Sequence, residues 1–178
     1  MRKIVLTFGL ISGAILAVMM VLAMLFQDHI GIDKGLVVGY TSMVIAFLMV
    51  YFGTRAYRDN VAGGKVRFGQ AFKVGLLITL IATACYVATW QVIYYKFMPD
   101  FFDKYAAAEA TMMQQRGASA ETIAKATKQM ADYKEAYKNP LVNIAMTSIE
   151  PLPVGLLFTL VSAGLLSRKR RDEDAVAA

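Results

Sequence analysis

The chain has 178 residues, 57% of them hydrophobic, with a mean hydropathy of +0.49 and a formal net charge of +6. That composition excludes an ordinary water-soluble domain and points to one helical bundle held in lipid. The positive charge is not a nucleic-acid face, because many of the basic residues flank the apolar runs, as they do at the cytoplasmic ends of membrane spans.

The first apolar run, Ile4 to Phe26, follows Arg2-Lys3. It is longer than the hydrophobic core of a signal peptide and lacks a small-x-small cleavage site, so it reads as a retained span. Its Gly9 and Gly13 form a small-xxx-small pair that lets a neighbouring helix approach closely. Gln27 to Gly35 reads as a short outer loop, with Asp28 and Asp33 set against Lys34. The single histidine, His29, lies there beside Asp28; one imidazole with scattered carboxylates is not a metal site, so no metal is expected.

The second run, Leu36 to Thr54, comes close to the roughly 20 residues that a helix needs to cross about 30 Å of hydrocarbon. Arg55 to Gln70, with Asn60, Gly63 and Gly64 among basic residues, reads as a cytoplasmic turn. The third run, Phe72 to Tyr95, is entered through a ladder of small residues, Ala71, Gly75, Thr79 and Thr83, at four-residue steps. Lys73 can snorkel to the interface, and Cys85, the single cysteine, reads as a buried thiol. Trp90, Tyr94, Tyr95 and Phe97 crowd the outer end, where interface anchoring accounts for them.

From Pro99 onward the apolar residues fall at helical spacing: Phe101, Phe102, Tyr105, Ala108 and Met112, then Ile123, Met130, Tyr133 and Tyr137. Gly117 separates the stripes, Ser119 can cap the second helix, and Asn139-Pro140 ends it. Residues 99–139 therefore read as an extracytoplasmic amphipathic hairpin. Lys96 to Pro140 holds seven basic and six acidic residues, a balance that casts no vote on topology. The fourth run, Leu141 to Leu166, carries Gly155, Thr159 and Ala163 on one face, and Arg168 to Arg171 follow in a basic tail, 167–178. Both termini are thus expected in the cytoplasm.

Chemistry concentrates at Glu150, the only acidic residue well inside an apolar run. An intramembrane carboxylate is costly and usually faces a bundle interior or a water-filled cavity. Pro151 and Pro153 follow it and predict a helix break. In one reading Glu150 sits at the new helix N-terminus and is favoured by its dipole. In the other the break lines a polar cavity with Tyr40, Thr41, Tyr86, Gln91, Tyr94, Asn143 and Thr147 as neutral partners, where Glu150 binds a proton, cation or amine. No HExxH, GxSxG, CxxC or Walker-type run is present in the sequence, so neither an enzyme nor a cofactor is expected.

Several short segments resemble a bacterial membrane-protein family, the domain of unknown function 4199 family. They are Phe68-Gly69-Gln70-Ala71-Phe72-Lys73-Val74-Gly75, Trp90-Gln91-Val92-Ile93-Tyr94-Tyr95, Pro99-Asp100-Phe101, Gly117-Ala118-Ser119, Asn139-Pro140 and Glu150-Pro151-Leu152-Pro153-Val154-Gly155. With the four spans they cover nearly the whole chain. The resemblance implies four membrane helices and a helical insertion before the last, and it brings no activity.

The expected protein is all-α: a four-helix bundle integral to a bacterial inner membrane, with the hairpin outside between helices 3 and 4. Its partners are the lipid bilayer and a second membrane protein or further copies of itself. A structural or accessory role fits these surfaces; the alternative is a small oligomeric transporter or channel using Glu150.

Overall fold

The computed structural model describes residues 1–167, excepting the side chains of residues 27–33. The readings of the 168–178 tail and of His29 with Asp28 lie outside the described residues. Among the described residues seven helices follow in order: α1 (Arg2–Leu25), α2 (Gln27–Asn60), α3 (Phe68–Lys96), α4 (Phe101–Gln115), α5 (Ala120–Tyr137), α6 (Pro140–Ser148) and α7 (Pro151–Ser167). Among the described residues four stretches, Arg2–Leu25, Lys34–Asn60, Phe68–Lys96 and Pro140–Ser167, are long and apolar enough to cross a membrane. The fourth is α6 and α7 in series.

Two boundaries differ from the sequence reading. The outer loop at Gln27 to Gly35 is instead the start of α2, which follows α1 after Phe26 alone. A helix bonds its own backbone, so it need not stop where hydrocarbon stops, and no proline interrupts it there. At the other end α2 continues through Arg55 and Arg58, and the expected turn shrinks to residues 61–67. Gly63 and Gly64 supply the left-handed conformations that reverse the chain, at φ 66 and 84.

The four spans close on one another through small residues. Val5, Gly9, Ser12, Gly13 and Leu16 make the buried stripe of α1. A β-carbon on Gly9 would lie 2.8 Å from Ile81 Cβ, and one on Gly13 would lie 2.6 Å from Cys85 Cβ. Gly75 faces Val50 and Thr159, and Gly155 faces Thr79 and Phe47, so α2, α3 and α7 meet where side chains are smallest. Gly53, which the sequence reading passed over, similarly admits Ile78 and Phe8. Hydroxyls lace the crossings: Ser12 Oγ donates to Ala46 O at 2.8 Å, and Thr79 Oγ1 donates to Gly155 O at 3.2 Å. These faces are occupied within the chain. Phe47, Val50, Val74 and Ile78, all at 0% exposure, fill the space between them.

The hairpin forms as its pattern predicts, with Gly117 at φ 76 and Ser119 Oγ accepting the Thr122 N–H at 3.2 Å. Lys134 Nζ joins the two helices by donating to both Asp103 oxygens at 2.7 Å. Its base is docked on α3. Tyr94, Phe102 and Tyr137 are buried together, with Trp90, Phe101, Met130 and Met146 packed around them. Interface anchoring therefore does not account for Trp90 and Tyr94, which form the platform that receives the hairpin. Tyr95 and Phe97 remain exposed at that level.

Candidate functional site

The α6–α7 break builds the site. Asn139 Oδ1 accepts the Leu141 N–H at 3.0 Å, with Pro140 in the first helical turn, so the chain re-enters the bundle as a capped helix. That helix lasts nine residues and ends at Ser148. Pro151 opens α7, and Pro153 stands two residues further on; no intrahelical acceptor is available to an N–H at either position, so both prolines are tolerated. Ile149 and Glu150 form the turn between the helices. By rise per residue Glu150 lies about 15 Å from the start of α6, and Tyr86 about 15 Å from the end of α3, so both fall inside the fourth and third apolar spans.

There Tyr86 Oη donates to Glu150 Oε2 at 2.6 Å, a short bond between α3 and the break. Glu150 itself is exposed and stands immediately before Pro151, the first residue of α7, where the helix N-terminus reading puts it. The break resets the helical phase, so a residue at the turn need not continue the inward face of α6. Glu150 forms no ion pair among the described residues. Tyr40, 52% exposed on α2, lies within electrostatic reach of Tyr86, and Tyr137 and Tyr105 of the hairpin lie within reach of Glu150. Thr41 points outward and joins no hydrogen bond among the described residues.

The other expected polar residues form a second, drier group. Gln91 Nε2 donates to Asn143 Oδ1 at 2.7 Å, and Thr147 Oγ1 donates to the same oxygen at 3.2 Å. Tyr137 Oη meets Thr147 Oγ1 at 2.8 Å and accepts from Trp90 Nε1 at 3.1 Å. With the Thr147 proton committed to Asn143, Tyr137 is the donor to Thr147. The relay ties α3, α5 and α6 together. Sequence reading missed Trp90 and Tyr137 as members, because Trp90 also fits an interface belt and Tyr137 an apolar stripe. Asn143 is fully buried, and its Nδ2 has no protein partner among the described residues.

The relay makes hairpin docking sensitive to alkali. The Tyr137 phenol is pushed above its ordinary value of 10.0, chiefly by burial; its bonds to Thr147 and Trp90 pull the other way, and Glu150 and Tyr95 push further up. Burial, then Glu109 and Glu150, push Tyr105 in the same direction. Below the ordinary value both phenols are neutral docked or undocked, and docking is at full strength. Above it the undocked phenols ionise first, so docking weakens as pH rises toward the docked values. A titration of Trp90 emission from pH about 9 to about 11 should show the loss, and Tyr137→Phe should reduce it.

Among the described residues no three of His, Cys, Asp and Glu come together as a metal site. An all-α bundle with four apolar spans, a broken fourth span and a docked hairpin defines a multi-pass membrane protein. Residues 7–168 match the DUF4199 family, described as a protein of unknown function, and the chain belongs to that family. Neither a curated protein nor a solved structure matches it.

Proposed function

We propose that the chain is a non-enzymatic accessory protein of a bacterial inner membrane, which docks a second membrane protein against its Glu150 face. One observation carries the reading: a carboxylate at membrane depth stands exposed on the bundle's surface with only the Tyr86 hydroxyl bonded to it. Turned toward hydrocarbon, such a group costs about 2.5–3.5 kcal/mol on insertion scales. A partner segment supplying a basic residue or a hydrogen-bond donor removes that cost. The basic residues at the end opposite the hairpin, Arg55, Arg58, Lys65, Arg67 and Lys73, support cytoplasmic termini.

Transport within one copy fits less well, because the space between the spans is filled by fully buried side chains, Phe47, Val50, Val74 and Ile78 among them. Native mass spectrometry of the protein released gently from its own membranes tests the proposal. A stoichiometric second membrane protein is expected, lost in Glu150→Gln while the melting temperature holds, since a Gln oxygen still accepts from Tyr86. A homo-oligomer without a foreign partner, whose reconstituted flux disappears in Glu150→Gln, would replace docking by transport.

A further inference from the structure

At the end opposite the hairpin, α1 and α2 leave a shallow, open groove of about 390 Å³ lined by Phe8, Met49, Phe52, Arg55, Ala56 and Asp59. Its character changes with depth. Phe8, Met49, Phe52 and Ala56 make an apolar slot on the bundle's flank, with Phe52 44% exposed, and Arg55 and Asp59 stand at its mouth. Met49 and Asp59 are ten residues apart on one helix, so the groove runs about 15 Å from hydrocarbon to the headgroup level.

The mouth is net basic. Arg58 Nε holds Asp59 Oδ1 at 2.7 Å, whereas Arg55 Nε is 3.6 Å from Oδ2, and the Arg55 side chain is 54% exposed. One carboxylate thus serves two guanidinium groups, and the nearer one has it. Phe8 lies level with Gly53, whose β-carbon would meet its Cβ and Cγ. In an antiparallel pair this register brings Arg2 and Lys3, both exposed, level with Arg58 and Asp59. Arg2, Lys3, Arg55 and Arg58 against Asp59 therefore leave this end of α1 and α2 net basic.

We propose that this groove binds an anionic glycerophospholipid, its phosphate paired with Arg55 and one acyl chain laid along Phe8, Met49 and Phe52. Charge selects the headgroup: the surplus at the mouth is positive, and the one carboxylate that could attract a lipid ammonium is already held by Arg58. Arg55 is suited to the phosphate, since a guanidinium offers paired donors in a fixed fork. The site stands independently of the Glu150 proposal: α1 and α2 line the groove, whereas Glu150 lies in the turn between α6 and α7.

The test is native mass spectrometry of the full chain ejected from nanodiscs holding equal phosphatidylglycerol, phosphatidylethanolamine and phosphatidylcholine with matched chains. Retained phosphatidylglycerol should exceed the other two. Arg55→Ala should lower that preference about fivefold, Lys73→Ala, a basic change at the same end outside the groove, should leave it unchanged, and Met49→Trp should fill the slot and reduce bound lipid of every class. Equal retention of the three lipids, a preference for phosphatidylethanolamine, or equal losses in Arg55→Ala and Lys73→Ala would overturn the site.

Discussion

Gly155→Val should lower the melting temperature more than any other single change at the helix crossings, with a loss of about 2–4 kcal/mol. Gly155 sits where α7 crosses α2 and α3, and even one added carbon would meet the Thr79 methyl and lie 2.9 Å from Phe47 Cε1. Neither neighbour can withdraw. Phe47 is fully buried, and Thr79 is held by its bonds to Gly155 O at 3.2 Å and Thr159 Oγ1 at 3.1 Å. The larger side chain must therefore push α7 away and break the Thr79 bond, adding hydrogen-bond loss to overpacking. Gly164→Ala is the control, because its β-carbon would meet nothing within 4 Å, and helix propensity alone favours it by up to about 1 kcal/mol. Equal melting of Gly155→Val and the parent in the same detergent would mean that the three helices do not cross this closely.

Tyr137→Ala should release the hairpin and leave the spans folded. The Tyr137 ring packs edge-on against Phe102 at 4.9 Å and Tyr94 at 5.3 Å, and its hydroxyl joins Trp90 to Thr147. Truncating a buried aromatic residue costs about 3–5 kcal/mol, here concentrated at the contact between hairpin and bundle. Trp90 is the only tryptophan, so its emission reports the event directly. The expected result is a red shift with faster proteolysis near Gly117, while helix content holds. Tyr133→Ala provides the contrast: Tyr133 is 41% exposed and only accepts from Gln129 at 3.2 Å, so its emission should match the parent's. A Tyr137→Ala protein with unchanged emission and proteolysis would show that the hairpin is held elsewhere.

Much of the architecture was legible because its causes are local. Bilayer thickness fixes span length, glycine and serine mark the hairpin turn and cap, and paired prolines mark the break in the fourth span. The readings that changed depend on what surrounds a segment. The polar residues from Gln27 to Gly35 look like a loop, yet a helix can carry them beyond the hydrocarbon with no loss of backbone bonds. Trp90 and Tyr94 have the composition of an interface belt, and only the folded hairpin reveals them as its platform. Glu150 was recognised as unusual from its setting, but the turn at Ile149 and Glu150 sets its direction independently of the helix pattern on either side. That Gln91, Asn143 and Thr147 share a depth was legible; their bonding to one another, and the extension through Tyr137 to Trp90, requires the packing of three helices.

The docking proposal rests on what touches Glu150 in the native membrane, and site-specific photo-crosslinking reads that contact directly. A crosslinking residue at Ile149, 66% exposed beside Glu150, should capture a second membrane protein, and one at Leu10, 54% exposed on α1, should capture only lipid. Adding Glu150→Gln should abolish the protein adduct at Ile149. Lipid adducts alone at both positions, or a protein adduct indifferent to Glu150→Gln, would contradict the assignment of this carboxylate as a docking group.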